Sequence, residues 1–427
     1  SYYYNNYFYK INGGERMNKK FNIATLMLAT SLAFTGCANN TQEADNSNET
    51  AVEEKAEESV DQTNQADQAA ETEEKAEESK EGEEKETEES EESVENKEEA
   101  ADEKADDKEK EDTETSETPT VEGNLVLHRA YPDEASRSFT TVVVATSGDK
   151  IVDAFIDEYQ YFGEDEGYEG VPNSDKGFGE GAKEGRILAS KIVNKDPYSE
   201  AMKNAGGEAT LMDNYNAVTD FVKGKTIAEL EEVLNEDDEK IMDAISGATF
   251  SSTPNLLRYI VEAAKDNTFA IGGEAENPEN IELRYVLGAP HGEKSFANAV
   301  VAVEGDKIVA ASIDEYQYIE EGITSQGEGS DFANDYADSK TVLASKLENN
   351  DFYSDLMAEK AGSTVTIKEN FEAIENFVAG KTVEEIKETI AGAKEGEKVE
   401  AVSGATLVDT AGYLQLIVDA FENAINK

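Results

Sequence analysis

An α+β fold, built twice in tandem behind a long acidic tether, is what the sequence predicts, and three observations carry that expectation. Within residues 121 to 427, β-rich runs come first and helical periodicity after, which argues against alternating β-α units. The same residues recur: Gly148-Asp149-Lys150-Ile151-Val152 returns as Gly305-Asp306-Lys307-Ile308-Val309, and Ser246-Gly247-Ala248-Thr249 as Ser403-Gly404-Ala405-Thr406, each 157 positions on. Ahead of them, the chain from Ala38 to about Thr120 holds no aromatic residue, no Leu and no Ile, so it cannot bury a core and reads as disordered.

In chain order, residues 1 to 16, rich in Tyr and Asn, read as an upstream extension before Met17. Residues 17 to 36 have the charged start, short apolar run and Phe34-Thr35-Gly36-Cys37 ending of a secretory signal with a lipobox-like cleavage site. The apolar run is too short for a good membrane span. Cys37 is the only cysteine, which excludes an intramolecular disulfide and any cysteine-pair metal or haem motif; its expected role is to carry lipid. Residues 37 to 120 then form the lipidated cysteine and acidic linker, which fully stretched would reach on the order of 250 Å. A net charge of -57, from 95 acidic and 38 basic residues, argues against nucleic acid as a partner.

The two repeated units are expected at 121 to 272 and 279 to 427, with the boundary near Gly272-Gly273 and Pro278, each long enough for its own core. Thr140 to Ala145, Gly148-Asp149 and Ile151 to Ile156 read as a hairpin. Ala217, Val218, Phe221 and Val222, matched by Ala373, Ile374, Phe377 and Val378, fit one helix face, and Ile227, Leu230, Val233 and Leu234 fit the next. Asp157-Glu158-Tyr159-Gln160-Tyr161 puts Asp157, Tyr159 and Tyr161 on one strand face, and its copy does the same with Tyr316 and Tyr318. These tyrosines are candidates for lying against a flat cofactor ring; covering the sheet at a hairpin end explains them equally well. The glycine-rich stretches Gly163 to Gly185 and Gly322 to Gly329 are loops that let backbone approach a ligand, or simply mobile loops. His128 and His291 fall at different places in the two units and read as surface residues. No Rossmann or P-loop glycine pattern, nucleophile triad or zinc ligand set occurs in context, so no catalytic residue and no metal site is assigned.

Each Ser-Gly-Ala-Thr lies just before an amphipathic segment, Leu256 to Val261 and Tyr413 to Val418, so a turn opening a helix is expected. Thr253-Pro254 reads as an N-cap followed by Pro at the first helical position, with Asp409 or Thr410 capping the second helix. A phosphate on Thr249 or Thr406 would then lie near unpaired helix N–H groups. Asp243-Ala244-Ile245-Ser246-Gly247-Ala248-Thr249-Phe250-Ser251 fits D-x-x-[ST]-G-A-T-x-[ST] at every fixed position. By this it resembles the acceptor motif of the FMN-binding domain family, in which a flavin transferase joins FMN to the threonine through a phosphoester. The second copy keeps the core of the motif and departs at Glu400 and Val408.

With the signal, the tether and the two units, the chain is similar to the flavin-carrying lipoproteins of Gram-positive extracellular electron transfer. The resemblance implies two covalent FMN groups, on Thr249 and Thr406, in two FMN-binding domains. Ser246, Gly247, Ala248 and Asp243, with Ser403, Gly404 and Ala405, would line the sites. It implies an electron carrier rather than an enzyme with its own substrate, held by lipid on the outer face of the cytoplasmic membrane. Its partners would be a flavin transferase, a membrane quinol-linked donor, and acceptors such as ferric iron or soluble flavins. It also allows release of the signal-peptide tail, Ala29 to Gly36, as a peptide pheromone. The residues themselves leave open a rival from another class, a flavin-free binding or sensory lipoprotein whose Ser-Gly-Ala-Thr turns are structural.

Overall fold

A computed structural model describes residues 121–132, 137–320, 323–327 and 330–426. The signal, Cys37 and tether expectations lie outside the described residues. The first half begins with strands β1 (Leu125–Ala130), β2 (Ser138–Ser147), β3 (Lys150–Gly163) and β4 (Arg186–Ser190). Helices α1 (Lys195–Asn204), α2 (Leu211–Val222), α3 (Ile227–Leu234), α4 (Asp238–Ala244) and α5 (Thr253–Ala263) follow, and the short strand β5 (Ile271–Gly273) pairs back on β1. The sheet order is β4-β3-β2-β1-β5, antiparallel throughout. The second half repeats the plan with β6 (Glu282–Gly288), β7 (Ser295–Glu304), β8 (Lys307–Glu320) and β9 (Thr341–Ser345). Helices α6 (Asn350–Ala361), α7 (Ile367–Val378), α8 (Val383–Ala391) and α9 (Thr410–Glu422) complete it, with a two-residue strand β10 (Lys381–Thr382) beside β8. The class is therefore α+β, strands before helices, as the sequence predicts.

The expected hairpin is β2-β3, turning at Gly148-Asp149, and β7-β8 turns likewise at Gly305-Asp306. Gly148 and Gly305 hold φ of 60° and 64°, which only glycine adopts without strain, and glycine first is what a two-residue turn of this hand requires. Helices α2, α3, α7 and α8 each start at a threonine capping box, Thr210, Thr226, Thr366 and Thr382, where the threonine side chain and an acidic residue three positions on satisfy each other's backbone N–H. On α2, Val218 and Val222 are buried while Ala217 and Phe221 are partly so, the face that its periodicity predicts.

What alternation does not reveal is what covers each strand face. Nearly all of β2 and β7 is buried on both sides, since helices lie on one face of each sheet and the other half of the molecule lies on the opposite face. The second unit keeps one cluster of its own, from Val286 and Ile313 to Phe371 and Ile417, while two further clusters are shared between the units. One cluster joins Leu125, Val143 and Phe155 to Tyr285, Val300 and Val309, and an aromatic one joins Phe139, Tyr159 and Tyr161 to Phe296, Tyr316 and Phe332. Between them runs a polar seam. Arg129, fully buried, donates to Asn298 Oδ1 at 2.8 Å, to Ser312 Oγ at 2.8 Å and to the Ser312 carbonyl at 2.9 Å. Tyr131 donates to Asp314 at 2.6 Å and Tyr285 to Asp157 at 2.9 Å, so a carboxylate of each half is held by a tyrosine of the other.

The glycine-rich stretch after β3 is an ordered strap across the second half. Phe178 N–H donates to the Glu293 carbonyl at 2.8 Å and Lys183 N–H to that of Asp335 at 2.8 Å. Gly181 lies so close under Tyr318 that a Cβ would come within 2.1 Å of Tyr318 Cδ2. Close approach to protein, not to a ligand, is what this glycine serves. Gly181→Ala must displace a ring held by Phe178 and by the Tyr161 hydroxyl, and is expected to cost about 1–3 kcal/mol in urea unfolding. Of Gly322 to Gly329, the described part includes Gly327, which packs on Phe332.

Burial also titrates the seam. It pushes the Asp157 carboxyl up to about 7 from its ordinary 3.8, against the opposing pull of Ser190, the Ile192 N–H and Tyr285. It likewise pushes Glu375, on α7, up to about 8 from 4.5. Both groups hold protons in the folded chain that the unfolded chain has released, so their stabilisation is full below about pH 4 and is lost as pH rises through about 7 and 8. The melting temperature should accordingly fall between about pH 4 and pH 8. Asp157→Asn should flatten that slope, and an unchanged slope would contradict the assignment.

Candidate functional site: two threonine turns

The two Ser-Gly-Ala-Thr stretches adopt the same turn. Gly247 and Gly404 hold φ of 97° and 96°, in the left-handed region. At Gly247 the nearest atom to a Cβ is Ala217 Cβ at 3.8 Å, so conformation rather than space demands glycine; at Gly404 Ala373 Cβ at 3.2 Å adds a close approach. Ala248 and Ala405 turn inward onto the cores, while Ser246, Thr249, Ser403 and Thr406 are exposed. Asp243, exposed in the last turn of α4, and Glu400, exposed and paired with Lys398 at 3.3 Å, lie just before the turns.

Each threonine is held by an asparagine that lies outside the Ser-Gly-Ala-Thr motif, on a helix some 35 residues earlier in the chain. Asn214 on α2, fully buried, accepts at Oδ1 from Thr249 N–H at 2.6 Å, Phe250 N–H at 2.9 Å and Thr249 Oγ1 at 3.2 Å. Asn370 on α7, also fully buried, accepts from Thr406 N–H at 2.7 Å, Leu407 N–H at 3.3 Å and Thr406 Oγ1 at 3.2 Å. Their Nδ2 groups donate to the Thr210 and Thr366 carbonyls, each at 2.8 Å. The available signal was that Asn214 and Asn370 occupy the same place in the repeat, one residue before an aromatic, in Asn214-Tyr215 and Asn370-Phe371.

Beneath these helices lies a buried ion pair in each half. Lys191 meets Glu158 at 3.0 Å, and Lys346 meets Glu315. Tyr215, next to Asn214, donates to Glu158, whereas in the second half Tyr413 of α9 donates to Glu315 with Phe371 against its ring at 5.2 Å. Burial alone would raise the Glu158 carboxyl, but Lys191 and the Tyr215 and Ser138 hydroxyls hold it below its ordinary value. The pair thus stays ionised and fixes α2, and with it Asn214, against the sheet.

Past the turns come the helix starts. Ser252, not Thr253, occupies the N-cap of α5; Thr253 is the first helical residue, fully buried, with Oγ1 lacking a hydrogen-bond partner. Asp409 does sit at the N-cap of α9, but its carboxylate accepts from His291 Nδ1 at 2.6 Å rather than from the helix. Neither α5 nor α9 has a side-chain cap, in contrast to the capping boxes of α2, α3, α7 and α8. His291 is therefore half-exposed beside the second turn. His128, expected at the surface, is buried, bonded to the Asp266 carbonyl at 3.0 Å and Thr146 Oγ1 at 2.9 Å.

Tyr159, Tyr161, Tyr316 and Tyr318 are not brought to the turns. Tyr159 stacks on Phe139 at 4.6 Å and Tyr316 on Phe296 at 5.0 Å, and Tyr161 meets Tyr318 hydroxyl to hydroxyl across the seam. Their common strand face is as expected; it packs against the other half, so Tyr159, Tyr161 and Tyr316 are buried and Tyr318 is partly so. Two clefts between the halves, of about 500 and 630 Å³, lie before α1 and α6, and no turn residue lines either. Compared with known protein families, curated proteins and solved structures, the chain matches none.

Proposed function

We propose that the chain is a flavin-carrying electron-transfer protein with FMN joined by phosphoesters to Thr249 and Thr406, one in each of two FMN-binding-type domains packed against each other. The observation that carries this reading is the pair of exposed threonines, each beside a left-handed glycine and ahead of a helix without a side-chain cap. The turns fit the group: both threonines are exposed, and the helix that follows each one has no side-chain cap, so the positive end of its dipole favours a neighbouring phosphate. Once bound, FMN supplies the redox chemistry. The protein's share is covalent retention at Oγ1, which keeps a small cofactor from diffusing away outside the cell. In the same proposal Cys37 carries lipid and the acidic tether gives reach from the outer face of the membrane. Electrons would come from a quinol-linked membrane donor and leave to ferric iron or soluble flavins.

The test is flavin absorbance in protein produced with its transferase, after denaturation and desalting. Retained colour is expected. Colourless protein would favour the rival, a flavin-free binding or sensory lipoprotein.

A further inference from the structure

Resting on the reading of Thr249 and Thr406 as acceptors, we propose that Asn214 and Asn370 are positioning residues for modification of the threonine oxygen, each keeping its buried amide oxygen satisfied after the hydroxyl proton has gone. An amide oxygen has two lone pairs, yet Asn214 Oδ1 faces three donors. The two backbone N–H groups of Thr249 and Phe250, at 2.6 and 2.9 Å, are enough to fill it; the hydroxyl, at 3.2 Å, is the surplus donor. Removing that proton leaves no buried acceptor orphaned, so the free and the modified threonine fit the same cradle. Before modification, the hydroxyl proton points at the asparagine, leaving the Oγ1 lone pairs for an incoming phosphorus. The Nδ2 bonds to Thr210 and Thr366, at the capping-box residues of the same helices, fix the amide and hence the threonine.

Joining FMN itself to a hydroxyl would require expelling water in water, so the donor is a phosphoanhydride of FMN. Oγ1 forms a bond to the FMN phosphorus, the anhydride P–O bond breaks, and its electron pair leaves on the nucleotide phosphate. The Oγ1 proton passes to a base supplied by the transferase, and nothing is oxidised or reduced. An asparagine amide cannot take that proton, which is why its part is orientation. At the second site Leu407 N–H stands at 3.3 Å where Phe250 N–H stands at 2.9 Å, so that cradle is the looser one. Thr406 should load more slowly than Thr249.

The experiment uses the full chain, the transferase and flavin adenine dinucleotide, with loading at each threonine followed by peptide mass, so that the unaltered site in the same molecule is the reference. Asn214→Ala should lower the maximal loading rate at Thr249 by about 10- to 100-fold without changing the half-saturating concentration, and leave Thr406 untouched. Asn214→Asp, which keeps the acceptor oxygen and in its neutral acid form also an O–H donor for the Thr210 carbonyl, should restore the rate to within about threefold when loading is run at mildly acidic pH. Parent-like loading of Thr249 in Asn214→Ala overturns the proposal. Loss at both sites would mark a folding defect, and Asn214→Asp then decides: recovery at Thr249 supports positioning, while continued loss there with Thr406 normal overturns it. A parent chain with no ester on either threonine would instead sink the acceptor reading on which the proposal rests.

Discussion

Protein carrying Thr249→Ala and Thr406→Ala together is expected to emerge from its transferase with no covalent flavin and with its melting temperature almost unchanged. Each single variant should lose one flavin and keep the other. A methyl in place of the hydroxyl removes the one atom able to form the ester at that position. The structural cost is small because both side chains are exposed and the hydroxyl gives up only the 3.2 Å contact to an asparagine oxygen that two N–H groups still occupy. Substitutions at such places usually change stability by no more than about 0.5 kcal/mol. Flavin retained on the double variant would move the site elsewhere. A large drop in melting temperature would show that the turn is structural first.

Arg129→Ala should act in the opposite way, with a large effect on stability and none on which threonine is loaded. Burial works to lower the Arg129 pKa, but Tyr131, Tyr316, Asp314 and Glu375 around it raise it, so the guanidinium stays charged in the seam. Truncation leaves Asn298 Oδ1, Ser312 Oγ and the Ser312 carbonyl without their donor and opens a cavity between the sheets. Breaking a buried charged network in this way costs about 3–5 kcal/mol. Arg129→Lys should recover only part, since an ammonium cannot reproduce the fork that serves two residues at once. Because the seam belongs to both halves, melting should remain one cooperative transition at lower temperature. Two separate transitions, or a loss below about 1 kcal/mol, would contradict a shared interface.

The contrast between these two sites explains how much the sequence discloses. The turns are legible because their chemistry is local: a left-handed backbone needs Gly247 and Gly404, a helix follows within a few residues, and the stretch occurs twice. The hairpins are legible for the same reason. Asn214 and Asn370 are not, because a buried asparagine on an amphipathic helix looks like any polar position until the threonine some 35 residues on folds against it. The four tyrosines show the limit most clearly. Strand alternation correctly puts Tyr159 and Tyr161 on one face, but the partner of that face comes from the other half, at a separation that no periodicity encodes. The cap of α5 slips by one residue because Ser252 and Thr253 both suit it, and burial of Thr253 against the core decides.

The central claim, that this chain is an acceptor for two flavins at matched turns, is tested most directly by intact mass and peptide mapping of the parent protein made together with its transferase. Two FMN increments are expected, one on the peptide holding Thr249 and one on the peptide holding Thr406, with the first appearing sooner. An unmodified mass, or increments that map to other residues, would contradict it.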